Sequence, residues 1–246
     1  MTREGPAQPV VQLSRVVRRY QGLRPLRIAA LSIARGERVA LSGLDPGAAE
    51  VLINLVTGAA LPDEGEVHVL GRSTARITSA DEWLAFLEQF GIVSPRAVLM
   101  EGASIGQNLA MPFTLQIDPV PPDIAARVEE LAAECGLRPD PAGPGLPGGL
   151  STLAGDAPQE VRARLHFARA IALEPTFVLL EHPTAGVEEP ARAPLGEDMA
   201  RVLEDRRLAA LVITQDEPFA LRVSHRALKL RPATGELKAL RRGWFR

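Results

Sequence analysis

Apolar and polar residues alternate along the N-terminal part of the chain, and the alternation predicts strands over "VVQLSRVVRRY", "LRIAALSIA" and "ERVALSG". A "PDEGE" turn leads into another strand, "EVHVLG". The spacing then becomes helical in "SADEWLAFLEQF", with Ser79 placed as N-cap, and "GIVS" reads as a short buried strand. Residues from about 96 to 157 differ in character. "IGQNLAMPF" and "PPDIAARVEELAAECGL" read as helices, the second opening on prolines as a first turn permits. "RPDPAGPGLPGGLSTLAGDAP" is too rich in Pro and Gly for regular structure. Thereafter helices "QEVRARLHFARAIAL", "LGEDMARVLEDRR" and "EPFALRV" alternate with strands "TFVLL" and "LAALVIT", and two strands, "RALKLR" and "GELKALR", close the chain. The pattern predicts an α/β core interrupted by a helical insertion.

Composition is that of a globular protein: 246 residues, 46% hydrophobic and 24% charged. A net charge of −2 argues against nucleic-acid binding driven by overall charge. Lys229 and Lys238 are the only lysines, so almost all positive charge is arginine. Cys135 is the single cysteine, which excludes an intrachain disulfide framework. "MTREGPAQPVVQL" lacks the apolar core of a signal peptide, and no apolar run approaches the roughly 18 residues that span a bilayer. Work at a membrane is therefore expected from its cytoplasmic side, through a partner and without insertion.

"GLDPGAAEVLINLVTG", Gly43 to Gly58, lies between a buried strand and a helix, the setting of the phosphate-binding loop G-x-x-x-x-G-K-[ST]. Gly43, Asp45, Gly47 and Val51 keep the frame, but Ala48 replaces the last glycine, Ala49 the lysine and Glu50 the hydroxyl residue. Pro46 has no N–H to offer a phosphate oxygen. Glu50 sets a carboxylate beside the phosphate position. Like charges 4 Å apart repel by about 1 kcal/mol in bulk water and about 4 kcal/mol at an effective dielectric of 20.

With this loop in register, the chain resembles the ATP-binding cassette (ABC) ATPases from about residue 10 to residue 240. The likeness is carried by "YQGLRPLRIAALSIARGERVALSG", "LINLVTGAALPDEGEVHVLGR", "FGIVSPRAVLMEGASIGQNLAMP" and "FARAIALEPTFVLLEHPTAGVEE", in the family's order. It implies a P-loop NTPase (RecA-like) core with an antiparallel β-subdomain and an inserted α-helical subdomain. On this resemblance 1–246 is expected to form one cassette, with the core and β-subdomain over about 1–95 and 158–246 and the helical insertion over about 96–157. It also implies ATP and Mg²⁺ as cofactors, a permease as partner, and a homo- or heterodimer with another cassette at the inner face of the membrane.

Position by position, the resemblance puts Tyr20 where an aromatic stacks on adenine, with ordinary packing as the alternative. The Q-loop glutamine falls on Pro95, and the signature on Ala157, Pro158, Gln159, Glu160 and Val161. "LPGGLS" upstream is a second candidate for the signature, at the cost of an extra insertion. Glu181 takes the Walker B aspartate slot, His182 the catalytic glutamate slot, Glu188 the D-loop aspartate slot and Gln215 the switch-histidine slot. Glu181 and Glu50 are the candidate metal ligands. Arg162, Arg164 and Arg169 share one helix, either as a salt-bridged face or as a functional patch, and Cys135 reads as a helix-core residue.

These replacements predict that the chain alone does not hydrolyse ATP. Three functions follow: a structural or regulatory cassette subunit of a transporter; an ATPase with atypical residues, Glu50 and Glu181 on Mg²⁺ and His182 as base; or a soluble interaction module without a permease. "IGQNLAMP" resembles cassettes of lipid, lipoprotein and drug exporters and favours transport.

Overall fold

The computed structural model describes residues 8–137 and 148–240. Strands β1 (Val11–Arg18) and β2 (Leu26–Ile33) alternate buried and exposed positions and pair antiparallel. Strand β3 (Arg38–Ser42) is buried throughout, and helix α1 (Pro46–Val56) leaves it through a short loop. β4 (Glu64–Val69) and the two-residue β5 (Arg72–Ser73) complete a four-stranded sheet in the order β2-β1-β4-β5.

Helix α2 (Ala80–Leu87) begins where Ser79 accepts a hydrogen bond from the Glu82 N–H, the cap expected from the sequence. β6 (Phe90–Val93) follows, then α3 (Ile105–Ala110) and α4 (Pro122–Glu134). Ser104 and Gln107 form a capping box at the start of α3. The Pro/Gly-rich stretch is described from Gly148 onward. There it holds a 3-10 turn, Gly149–Ser151, and one bridge between Ser104 and Leu153. Its earlier part, including Leu146 and Pro147, lies outside the described residues.

The chain then runs through α5 (Gln159–Ile171), β7 (Phe177–Glu181), α6 (Glu189–Asp205), β8 (Ala209–Ile213), α7 (Glu217–Val223), β9 (Arg226–Arg231) and β10 (Glu236–Ala239). The second sheet has the order β10-β9-β3-β8-β7-β6, with only β10 antiparallel to its neighbour. Its central strands are apolar on both faces because both faces are covered. In β7, Val178 and Leu180 face the helices α3 to α7, whereas Phe177 and Leu179 join α1 and the first sheet. Phe90 lies edge-on to Phe86 at 5.0 Å and to Phe177 at 6.1 Å, bonding α2 to the sheet.

Two expectations change. Helix α6 starts at Glu189, before the "LGEDMARVLEDRR" predicted for it, and runs through Pro190 and Pro194. Pro190 sits in the first turn, where a missing N–H costs nothing, and Pro194 is tolerated one turn further in. β5 escapes the pattern because two residues carry no period.

Candidate functional site

The carboxyl ends of β3, β6, β7 and β8 meet at one edge of the parallel sheet, where open α/β sheets bind ligands. Gly43 leaves β3 with φ +84°, and a Cβ there would stand 2.8 Å from the Leu230 carbonyl oxygen. Asp45 is the N-cap of α1: its carboxylate accepts the Ala48 N–H at 2.8 Å, and its carbonyl accepts the Ala49 N–H at 2.9 Å. Ala48 and Ala49 are buried in the apolar core. Val51 is half-buried, while Glu50 faces solvent.

Tyr20 lies on this loop. Its hydroxyl donates to Asp45 Oδ2 at 3.0 Å. A Cβ on Gly47 would come within 3.0 Å of the Tyr20 ring, and one on Gly22 within 2.5 Å, so the ring is wedged between the two glycines. Burial and then the Asp45 carboxylate push the Tyr20 hydroxyl above its ordinary pKa. The Gln215 side-chain amide reaches across from the end of β8 and donates to the Leu44 carbonyl.

The opposite wall is built by "SPRA" after β6. The Ala97 N–H bonds the Ser94 carbonyl at 2.9 Å, closing a turn with Pro95 at its first corner, a position proline favours. The turn aims Arg96 inward. Its Nη2 lies 2.8 Å from Glu181 Oε2, and its Nη1 lies 3.4 Å from Glu181 Oε1 and 3.5 Å from Glu50 Oε2. Ser94 Oγ donates to Glu181 Oε2 at 2.7 Å and accepts the Arg96 backbone N–H at 3.3 Å. The Glu181 side chain is 3% exposed and the Arg96 side chain 50%. One guanidinium thus joins the second turn of α1 to the end of β7.

His182 follows at φ +47°, a strained backbone for a residue with a Cβ. Its N–H donates to the Ile213 carbonyl at 2.8 Å, and its Nε2 is buried with no partner among the described residues. A cavity of about 260 Å³ opens here, lined in part by Ser94, Gln159, Arg162, His166, Glu181 and His182. Burial, then Arg169 and Arg162, hold the His166 imidazole below its ordinary pKa.

The signature positions sit at the start of α5. Ala157 and Val161 are buried, Pro158 is the N-cap residue, and Gln159 packs against Gly186. The "GGLS" part of the alternative candidate, Gly148 to Ser151, instead packs at the start of α3, where the Ile105 N–H bonds the Thr152 carbonyl at 2.9 Å. Glu188 precedes α6 without a side-chain capping bond. The arginines of α5 are committed within the fold. Arg162 pairs with Glu101 at 3.0 Å, Arg164 with Asp198 at 2.5 Å, and Arg169 donates to the Val98 carbonyl at 3.0 Å. Cys135 is a buried core residue whose thiol is pushed up to about 12, first by burial and then by Glu134.

Sequence reasoning missed Arg96, Ser94 and the capping role of Asp45. A signal for Arg96 exists: it is the only Lys or Arg between Arg76 and Arg127, and it follows a Ser-Pro at a strand end. No group of three metal-ligating side chains occurs among the described residues.

A buried strand, loop and helix at the carboxyl edge of a mainly parallel sheet, with a carboxylate ending the strand two places away, define the P-loop NTPase fold. The chain belongs to the ABC transporter family, whose sequence profile matches residues 26–185. It is 29% identical to the lipoprotein-releasing system ATP-binding protein LolD of Alcanivorax borkumensis, over 87% of this chain and 91% of the relative. CbiO1 of Clostridium perfringens, part of the ABC transporter complex CbiONQ, superposes with a TM-score of 0.75 at 18% identity, covering 94% of this chain and 87% of the other. The dimeric ATP-binding cassette MJ0796 with ADP and Pi superposes with a TM-score of 0.71 at 19% identity, covering 94% and 99%. At these identities the two structures speak for the fold.

Proposed function

We propose that this chain is a non-catalytic cassette subunit of a membrane transporter, pairing with a second cassette and docking a permease at the cytoplasmic face. Family membership and the likeness to LolD, an ATP-binding protein of a lipoprotein-releasing system, support the transport assignment. No helix among the described residues is long and apolar enough to cross a membrane.

The observation that carries the non-catalytic part is the loop's self-satisfaction. Where a phosphate would meet N–H groups at the start of a helix, the Asp45 carboxylate already holds the Ala48 N–H and Tyr20 is bonded to that carboxylate. Pro46 has no N–H, and buried Ala49 brings no charge. A magnesium nucleotide does not fit this set of residues: it would meet Asp45 and Glu50 where it needs donors and a cation. The helical segment between β6 and α5, about 96–157, is the part that would meet the permease.

One observation favours an atypical ATPase instead, the unpartnered Nε2 of His182 next to Glu181. Co-expression with a candidate permease and a cassette that carries complete motifs separates the two readings. The proposal expects a stable complex whose ATP hydrolysis is unchanged by His182→Ala. Loss of hydrolysis in that variant would establish the atypical ATPase, and failure to associate would remove the transport role.

A further inference from the structure

We infer that Arg96 is a built-in cation: its guanidinium stands between Glu50 and Glu181 where a divalent metal ion would bind, and closes the cleft to metal-bearing ligands. The inference rests on the reading that the cleft is non-catalytic, and it names the device that keeps it so.

Two carboxylates from elements distant in sequence, the second turn of α1 and the end of β7, converge on one guanidinium. Without a positive charge between them they would repel, and Glu181, 3% exposed, would carry an uncompensated buried charge. In this chain the charge is tethered. Arg96 reaches both carboxylates, and Ser94 donates its hydroxyl to Glu181 at 2.7 Å, so two carboxylates flank the guanidinium and the buried one is also held by a hydroxyl. Arginine suits the position because its planar fork serves two acceptors at once and it does not lose its proton.

The tether also decides the competition. A side chain held in the fold acts at an effective concentration of about millimolar or more, so a free divalent ion must displace a partner that never diffuses away. With Arg96 in place the cluster sums to one negative charge, which also repels the phosphates of a nucleotide. Arg96 leaves the turn Ser94–Ala97, so its ion pair ties the segment entering the helical region to the carboxylates.

Removing the guanidinium should therefore create a metal site. Arg96→Gln keeps a hydrogen-bond donor for Glu181 and discards the charge; Arg96→Ala discards both. Mn²⁺ is the probe, followed by thermal melts and by loss of the free-ion EPR signal. Mn²⁺ at millimolar concentration should leave the wild-type melting temperature unchanged and raise that of Arg96→Gln by about 2–4 °C. Adding Glu50→Gln to that variant should abolish the gain, which locates the ion. Folded single variants that gain no Mn²⁺ binding would overturn the inference. So would saturable stabilisation of the wild type by Mn²⁺, an arm that needs no variant to fold. Absence of the Mn²⁺ gain overturns the inference and leaves the non-catalytic reading standing, whereas Mg-ATP turnover by the wild type removes that reading and, with it, the claim that Arg96 closes the cleft to metal-bearing ligands.

Discussion

Single residues at this cleft are set by their neighbours more than by their type. Glu181 is a buried carboxylate that stays compensated because Ser94 and Arg96 both reach it. His166, on α5, is held below its ordinary pKa by burial and then by the charges of Arg169 and Arg162. That has a pH consequence. Its folded-state pKa lies below the unfolded value of about 6.5, so between the two the unfolded chain binds more protons and folding loses stability as pH falls. His166 thus adds no penalty above about pH 6.5 and an increasing one below it. Urea melts at pH 7.5 and 5.5 should show the wild type losing more stability on acidification than His166→Gln. Equal losses would mean that His166 protonates in the folded chain as readily as in the unfolded one.

At the scale of elements, the β3–loop–α1 unit depends on the backbone turning sharply at Gly43. Two glycines with the same sign of φ separate conformational strain from collision. Gly36, at φ +72°, has nothing nearer than 3.7 Å to an added Cβ, whereas Gly43 would meet the Leu230 carbonyl oxygen at 2.8 Å. Gly36→Ala should destabilise by about 1 kcal/mol and Gly43→Ala by about 2–4 kcal/mol in denaturant melts, because only the second must also move β3 against β9. Equal costs would show that the sheet edge yields freely. The same unit was the most legible part of the sequence, since a fully apolar run, a glycine and an apolar helix register locally. Helix α6 was less legible: Pro190 and Pro194 read as breakers, yet near a helix start each removes a bond the helix does without or spares. Arg96 was not legible as a site residue. Nothing local in "SPRAVL" reveals that its turn would face Glu50 and Glu181, because that meeting is made by the order of strands in the sheet.

The molecule as a whole keeps the architecture of its family, and in the proposed reading its own side chains occupy the places where ligands would act. Asp45 and Tyr20 fill the loop at α1, Gln215 ties the end of β8 to the Leu44 carbonyl, and Arg96 bridges the walls. Such a cross-linked cleft would suit the proposed subunit, which contributes shape and contacts to an assembly. A chain with this arrangement should gain nothing from nucleotide. The most direct test is isothermal titration calorimetry of the purified chain with Mg-ATP at millimolar concentration. The account predicts no saturable heat; a saturable isotherm at one site per chain, abolished by a bulky substitution at Gly47, would contradict it.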